Sequence, residues 1–187
     1  AGEAAGDLSG FSVSLSSDGK IVAIGAPYNH GNGKSNAGHV KVYQWNETSW
    51  NQMGADIDGE AAGDYSGYSV SLSSDGKTVA IGAINNDGNG DKAGHVRMYQ
   101  WNDPSWNQMG ADIDGEAEDD ESGYSVSLSS DGTIVAIGAM YNNGNWRGHV
   151  RVYEYKSEIK RQLTSTTLTP SDILYPDSSS NFELLFT

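Results

Sequence analysis

One sequence is repeated three times along this chain, and its middle copy is Ser66-Gly67-Tyr68-Ser69-Val70-Ser71-Leu72-Ser73-Ser74-Asp75-Gly76-Lys77-Thr78-Val79-Ala80-Ile81-Gly82-Ala83. The first copy spans residues 9–26 and the third spans residues 122–139, with almost every residue kept. A unit copied at a nearly constant spacing indicates a repeat protein built from identical modules.

Each copy predicts two β-strands joined by a tight turn. In the first copy, Phe11, Val13 and Leu15 alternate with serines, which is the period of a strand that has one face in water. Residues 17–19 (Ser-Asp-Gly) supply turn chemistry, because the glycine can adopt a positive φ. The return strand at residues 21–24 is apolar at every position, so we expect it to be buried on both faces.

Two further strands complete each repeat. A loop rich in Asn and Gly leads to a third alternating strand, which begins at His39, His95 and His149. A fourth strand is expected at residues 49–57 and again at 105–113. Four antiparallel strands in about 56 residues is the size of one β-propeller blade. The predicted fold class is therefore all-β, a propeller-type array of four-stranded antiparallel blades.

The repeat pattern also sets the expected domain limits. We expect blades at residues 1–58 and 59–114, and a partial blade at 115–155. Residues 156–187 are expected to form a C-terminal tail that is rich in Ser and Thr, with one more strand at residues 181–187. Because a propeller ring closes with about four to eight blades, ring closure within this chain is incomplete.

Three explanations for the missing blades stay open at this level. The chain is part of a longer propeller, or it assembles with other copies into a ring or a filament, or its blades stand in an open row. The position of Ala1 inside a repeat favours a piece of a longer array. The distinct tail that follows Lys156 favours assembly between copies.

Composition restricts the partners of the protein. The net charge of −14 would repel nucleic acids and anionic lipids, so we expect neither as a partner. This acidity is typical of a soluble surface or of cation binding. The absence of cysteine excludes disulfides and Cys-based sites. No run approaches the roughly 18 apolar residues of a membrane span, so no membrane insertion is expected.

The core of the repeat resembles the FG-GAP repeat. Residues 67–70 (Gly-Tyr-Ser-Val), followed by residues 79–83 (Val-Ala-Ile-Gly-Ala), carry the resemblance, and Phe11 with residues 25–27 (Gly-Ala-Pro) is the nearest copy. The resemblance extends over residues 1–155. It implies a β-propeller of the kind found in integrin α-chain heads and in many secreted or surface proteins, and hence an extracellular or cell-surface location.

The same resemblance implies calcium, which the family often binds in the loop between the first two strands. In this chain that loop holds only residues 73–76 (Ser-Ser-Asp-Gly), too few to surround a cation that takes about six to eight oxygens. Another candidate loop carries Asp87, Asn89 and Asp91, which offer oxygens at every second residue. A polar loop without an ion is the alternative, because the other copies of this loop lack carboxylates.

The acidic turns that join the repeats are a second candidate for calcium. Their carboxylates alternate and would lie on one side of an extended segment. These residues are Asp56, Asp58 and Glu60 after the first repeat, and Asp112, Asp114 and Glu116 after the second. The alternative is a solvated connection whose aspartates cap turns.

A histidine and a tryptophan recur as candidate ligand-binding residues. His39, His95 and His149 would form one metal site only if they line the narrow central axis of a propeller. Otherwise each histidine is expected to form a hydrogen bond with a neighbouring blade. Trp50 and Trp106 are suited to stacking on sugars, and packing between blades is the alternative. The segment Asn46-Glu47-Thr48 is an N-glycosylation acceptor if the protein is secreted by a eukaryote.

The sequence contains no nucleophile motif and no Gly-rich phosphate loop between a strand and a helix. We therefore expect no enzyme, but a non-enzymatic extracellular module for binding, adhesion or structure. Its expected partner is a protein or glycan at the cell surface, and Ca²⁺ is its expected cofactor if it has one. Two alternatives remain, a subunit of a surface filament or other oligomer, and a calcium-dependent glycan-binding propeller lectin.

Overall fold

The computed structural model describes residues 2–142, 147–156 and 181–187. These residues form three antiparallel sheets and contain no α-helix, and a 3₁₀ turn lies at Gly31–Gly33. The predicted all-β class is therefore confirmed. None of the described segments forms a helix that is long and apolar enough to cross a membrane. The Ser/Thr-rich part of the predicted tail, residues 157–180, lies outside the described residues.

Each sheet is one blade. The strands of blade 1 are β1 (Ser12–Leu15), β2 (Ile21–Ala26), β3 (His39–Trp45), β4 (Trp50–Gln52) and β5 (Ile57–Asp58). The strands of blade 2 are β6 (Ser66–Leu72), β7 (Thr78–Ala83), β8 (His95–Asn102), β9 (Ser105–Gln108) and β10 (Ile113–Asp114). The strands of blade 3 are β11 (Ser122–Leu128), β12 (Ile134–Ala139), β13 (His149–Tyr155) and β14 (Phe182–Phe186).

The outer edges of blades 1 and 2 differ from the sequence prediction. One continuous fourth strand was expected in blades 1 and 2, but β4 and β5 both pair with β3, and β9 and β10 both pair with β8. The prediction of one strand is wrong because Gly54 and Gly110 adopt φ values of +71° and +66°, which interrupt an extended backbone. In blade 3 the outer strand is β14, which pairs antiparallel with β13.

The hairpin turn forms through the residues that predict it. Gly19 adopts a φ of +68°. The carboxylate of Asp18 accepts hydrogen bonds from the hydroxyl of Ser16 at 2.6 Å and from the main-chain N–H of Lys20 at 3.0 Å. The turn is therefore closed by local bonds, which explains why it recurs unchanged in all three blades.

The serines of β1 do not form the face in water, so the prediction is wrong for the first copy, whereas Ser125 and Ser127 of the third copy are exposed. Ser12 Oγ donates to the main-chain oxygen of Gly67 at 2.7 Å, and Ser14 Oγ accepts from the N–H of Leu72 at 2.9 Å. Both partners belong to the first strand of the next blade. The exposed side of β1 is instead its apolar side, which carries Val13. The serines join neighbouring blades, so their face is covered.

Neighbouring blades share apolar cores. We call the face of a blade that packs on the following blade its forward face, and the opposite face its back face. The first core joins the forward face of blade 1 (Ile21, Ala23, Val40, Val42, Met53, Ile57) to the back face of blade 2 (Val70, Leu72, Val79, Ile81, Tyr99). The second joins the forward face of blade 2 (Ala80, Val96, Met98, Met109, Ile113) to the back face of blade 3 (Val126, Leu128, Val135, Ile137, Tyr153).

Burial of the second strand depends on the blade. Every residue of β7 is buried, whereas buried and half-buried residues alternate along β2 and β12. Blade 2 is packed between blades 1 and 3. Among the described residues, no further blade covers the back face of blade 1 or the forward face of blade 3. The expectation that residues 21–24 are buried on both faces is therefore wrong for the first copy, although the equivalent residues of the middle copy are buried on both faces.

Candidate functional site

Strand pairing brings the repeated histidines to the repeated acidic turns. In blade 1, His39 pairs with Asp58 where β3 meets β5. In blade 2, His95 pairs with Asp114 where β8 meets β10. Because β5 and β10 are only two residues long, the acidic residues on either side of each strand lie close to the paired histidine. The predicted metal candidates and the predicted ligand-binding histidines thus meet at one edge of each of these blades.

The histidine cluster of blade 2 consists of Glu60, His95 and Asp112. The side chain of His95 is only 1% exposed, and its Nδ1 atom lies 3.5 Å from Asp112 Oδ2 and 4.0 Å from Glu60 Oε2. One ligand atom from each of the three residues lies within 4.8 Å of the others. Arg97 is buried beside the cluster, where its Nη1 is 3.4 Å from Glu60 Oε1 and its Nη2 donates to the main-chain oxygen of Asp58 at 2.8 Å.

The histidine cluster of blade 1 has the same composition, with Glu3, His39 and Asp56. His39 Nδ1 lies 3.5 Å from Asp56 Oδ2. Lys41 takes the place of the arginine, and its Nζ lies 2.5 Å from Glu3 Oε1 and 3.5 Å from Asp56 Oδ2. The ammonium group therefore contacts both carboxylates of this cluster.

Blade 3 has only part of this arrangement among its described residues. His149 Nδ1 lies 3.1 Å from Glu116 Oε2, and its Nε2 lies 2.7 Å from the hydroxyl of Thr187. Within the described segments, groups of three such side chains occur only in blades 1 and 2, and neither group contains two of the repeated histidines.

Burial and local charge set the protonation states of the cluster. Burial, together with the nearby Arg97 guanidinium, lowers the pKa of His95 to about 4, so its imidazole is neutral at pH 7. Burial raises the pKa of Glu60, with a further contribution from Asp112. Burial also raises the pKa of Asp114, and the adjacent Asp112 adds to this shift. A neutral imidazole has a ring nitrogen with a free lone pair, which is the form of histidine that binds metal ions.

The other predicted metal residues lie apart from these clusters. Asp87 and Asn89 are exposed; Asp87 Oδ1 accepts from the N–H of Lys92 at 2.9 Å, and Asn89 Nδ2 donates to the main-chain oxygen of Gly115 at 2.9 Å. Asp91 is exposed on the same loop. The side chains of Asp87 and Asn89 thus stabilise the loop, and neither Asp87 nor Asp91 joins a group of three in the described chain.

Asp58 differs from Asp56 although both belong to the same acidic turn. Its Oδ2 accepts a hydrogen bond from Asn32 Nδ2 at 2.7 Å. Asp56 instead accepts from Gln52 Nε2 at 2.6 Å through Oδ1, which leaves Oδ2 beside the histidine. The two aspartates therefore do not act as one pair of ligands, and only Asp56 belongs to the histidine cluster of blade 1.

The two predicted sugar-stacking tryptophans have different surroundings. Trp50 is 45% exposed and lines a cavity of about 320 Å³ on the back face of blade 1, together with Lys41 and Tyr43. Trp106 packs against blade 1, and its indole N–H donates to the main-chain oxygen of Met53 at 2.8 Å. The equivalent surface of blade 2 is thus occupied by a neighbouring blade.

The predicted glycosylation acceptor lies at an exposed turn. Asn46 follows β3, and its Oδ1 accepts from the N–H groups of Thr48 at 3.1 Å and Ser49 at 2.9 Å. The side chain is open to solvent, so its position is compatible with the predicted modification.

Sequence reasoning missed Glu3 and Arg97. Glu3 occupies the same repeat position as Glu60 and Glu116, so a strict alignment of the three repeats would have found it. Sequence reasoning also missed a row of aromatic rings that crosses the blades. The ring centroids of Phe11 and Tyr68 are 4.8 Å apart. The next ring, that of Tyr124, is 5.2 Å from Tyr68, and its hydrogen bond to Tyr68 is the main cause of a raised Tyr68 pKa.

Comparison with known proteins identifies the repeat. Residues 56–99 match the model of the FG-GAP repeat, which confirms the resemblance found in the sequence. This stretch contains the central strands of blade 2, and blades 1 and 3 repeat their sequence. No curated protein matches the chain in sequence.

Solved structures show the fold to which these blades belong. The chain is similar to a putative 6-phosphogluconolactonase from Bacteroides uniformis, with a TM-score of 0.53, 14% identity, and coverage of 79% of this chain and 37% of that one. It is also similar to Sqt1 from Saccharomyces cerevisiae, with a TM-score of 0.53, 14% identity, and coverage of 95% and 35%. The chain therefore spans little more than a third of the length of either structure. At this identity the likeness shows a propeller-type fold and nothing about activity.

Proposed function

We propose that the chain is a non-enzymatic β-propeller module that binds protein or glycan partners outside the cell or at its surface. We further propose that it associates with other blades through its two uncovered faces. This proposal rests on the similar residues of two back faces, of which that of blade 2 is covered and that of blade 1 is uncovered. The back face of blade 1 presents nearly the same residues as that of blade 2, which is covered by blade 1.

The uncovered surfaces are apolar. The back face of blade 1 carries Val13, Leu15, Val22, Ile24 and Tyr43, at the positions of the buried residues of blade 2. The forward face of blade 3 carries Ile134, Ala136, Val150 and Val152, of which Val150 is exposed and the others are half-buried. Adjacent apolar side chains of this kind mark interaction surfaces.

A second copy of this chain has the matching surface. The residue types of the forward face of blade 3 repeat those of blade 1, which already packs on a back face. Contact between blade 3 of one copy and blade 1 of another would be head-to-tail, so it would close a ring or continue as a filament, depending on the rotation between copies. Further blades of a longer protein would cover the same faces in the same way.

The proposed location rests on the repeat and is compatible with the charge. FG-GAP repeats are typical of secreted and surface proteins, and residues 56–99 match that repeat. The net charge of −14 favours solubility in such a setting.

Light scattering on the 187-residue chain over a range of concentrations, with and without Ca²⁺, tests self-association. We expect a mass of two or more chains for the native protein. A Leu15→Glu variant should shift to the mass of a single chain, because a charge on this apolar face cannot be buried without a partner.

A Thr48→Glu variant is the matched control, since it places the same charge in the exposed turn between β3 and β4. It should retain the native mass. A native chain that stays monomeric at every concentration would overturn self-association, and equal effects of both variants would show that the association does not use this face.

A calcium-dependent lectin is the second candidate, favoured by the cavity that contains Trp50. Retention on a glycan column that is lost with a chelator and in a Trp50→Ala variant would support it. Because the cavity lies on the back face of blade 1, sugar binding there would compete with self-association. Addition of the retained glycan should then dissociate the oligomer.

The non-enzymatic part of the proposal has a direct test. A sugar lactone is the substrate class in the name of the Bacteroides structure. We expect no lactone hydrolysis by this chain, because its repeats carry nearly the same residues and no blade presents a distinct catalytic group. Turnover that disappears in Asp58→Asn or Asp114→Asn variants would overturn this part.

A further inference from the structure

His95 has a buried ring nitrogen without a hydrogen-bond partner. Its Nδ1 atom is shielded from solvent and makes no hydrogen bond. The carboxylate oxygens that face it, Asp112 Oδ2 at 3.5 Å and Glu60 Oε2 at 4.0 Å, are too far away or poorly aligned for one. A buried nitrogen left in this state destabilises the fold unless another group binds it. Two carboxylate oxygens that could share such a group with the nitrogen lie within 4.0 Å of it.

The spacing of the three atoms fits a small divalent cation. Zinc ligands lie about 2.0–2.2 Å from the metal, so tetrahedral ligands lie roughly 3.3–3.5 Å apart. The separation of His95 Nδ1 and Asp112 Oδ2 is already 3.5 Å. Glu60 is half exposed at the rim, and a rotation of its side chain would bring its oxygen to the same spacing.

The second oxygen of each carboxylate faces another side chain. Asp112 Oδ1 accepts from Gln108 Nε2 at 2.6 Å, which leaves Oδ2 for the histidine. Glu60 Oε1 faces Arg97, which leaves Oε2 on the side of the histidine. Metal-binding carboxylates are oriented by polar partners, here a hydrogen bond to Asp112 and an ion pair with Glu60.

We propose that Glu60, His95 and Asp112 bind a divalent transition-metal cation of the zinc class, and that Glu3, His39 and Asp56 form a weaker second copy of the site. The inference does not rest on the proposed function, because the site lies within one repeat whether or not the chain self-associates. A nitrogen ligand with two carboxylates favours Zn²⁺, Co²⁺ or Mn²⁺ over Ca²⁺, which takes oxygen ligands in larger number.

The two copies differ in the basic side chain beside the carboxylates. Lys41 contacts both carboxylates of the blade 1 cluster, whereas Arg97 contacts one carboxylate of the blade 2 cluster. An ammonium group that is bound to both oxygens competes with a metal ion for them. We therefore expect tighter binding in blade 2.

Zinc titration calorimetry on the 187-residue chain without a histidine tag tests the site. We expect two Zn²⁺ ions per chain with unequal affinities, and Co²⁺ should give visible absorption bands that Zn²⁺ removes. An equal concentration of Ca²⁺ should leave the bands unchanged. Glu60→Gln and Asp112→Asn are isosteric, and each should weaken the tighter event by roughly tenfold or more.

Two further variants assign the sites. His95→Ala should remove the tighter event and leave one ion per chain. Asp87→Asn is the matched control, because it removes a carboxylate from an exposed loop of the same blade, and it should bind like the native chain.

Three outcomes would overturn the proposal. They are no Zn²⁺ binding at millimolar concentration, binding that neither Glu60→Gln nor Asp112→Asn weakens, and displacement of Co²⁺ by an equal concentration of Ca²⁺. Circular dichroism of each variant identifies any loss of fold, and if His95→Ala unfolds, the two isosteric carboxylate variants decide the question alone.

Discussion

Blades 1 and 2 carry almost the same back-face residues, but only blade 2 buries them. Val70 and Leu72 of blade 2 are 9% and 7% exposed, whereas their counterparts Val13 and Leu15 in blade 1 are 64% and 59% exposed. The two pairs have identical residue types and lie in equivalent strands. The difference therefore comes from the neighbouring blade alone.

This comparison shows how a repeat protein distributes its stability. The energy of each repeat depends on the contacts that it makes with its neighbours, and a terminal repeat lacks one of them. Equivalent substitutions in blades 1 and 2 should consequently have unequal effects. Such pairs are best measured at a protein concentration at which light scattering shows the chain to be monomeric. Association through the back face of blade 1 would reduce the difference in stability between the two variants of a pair.

The largest effect is expected for the leucine pair. Leu72→Ala should lower the free energy of unfolding by about 2–5 kcal/mol, because it leaves a cavity between two blades. Leu15→Ala should change it by only about 0.5 kcal/mol, since the side chain is already in water. Urea unfolding followed by tryptophan fluorescence measures both. Equal losses would show that Leu15 is buried in solution.

A glycine pair tests the close approach between blades 2 and 3. A Cβ on Gly82 would lie 2.2 Å from the main-chain oxygen of Gly123 in the next blade and 2.4 Å from Ser69 Oγ. A Cβ on Gly138 would also lie 2.4 Å from the equivalent hydroxyl, Ser125 Oγ, but the next nearest atom would be 3.7 Å away.

A hydroxyl can rotate away, but a strand backbone cannot. Gly82→Ala should therefore destabilise the protein by about 1–3 kcal/mol more than Gly138→Ala. Thermal unfolding by calorimetry compares the two variants. Similar melting temperatures would mean that blades 2 and 3 can separate at little cost.

The smallest effect is expected for the tryptophan pair. Trp106→Phe removes the indole N–H that donates to the main-chain oxygen of Met53, and should cost about 1 kcal/mol. Trp50→Phe should cost less, because this ring is 45% exposed on the uncovered face. Guanidinium unfolding of both variants provides the comparison, and a larger loss for Trp50→Phe would contradict it.

Much of each blade could be predicted from local sequence. The hairpin at residues 9–26 follows from alternation and from the turn residues around Asp18, which bond to their own neighbours. The break in the outer strand was less visible, because a glycine in a strand pattern is compatible with either a bulge or an interruption. Gly54 and Gly110 interrupt it here.

The candidate site could be predicted only in part. The acidic turns and the histidines were recognised as separate candidates, because each recurs in the repeat. Their meeting depends on the pairing of His95 with Asp114, which joins distant parts of the chain. The unbonded ring nitrogen of His95 follows from side-chain packing, and no pattern of residue types reports it.

The sequence by itself determined the repeat, the three inner strands of each blade, the turns and the acidic surface, because these depend on residues close together in the chain. Only the tertiary structure decided which strand faces are buried and which carboxylates face a histidine. Ser12, for example, bonds to Gly67, which is 55 residues away. The serine pattern alone predicts a face in water, and only the position of the next blade shows that this face is covered.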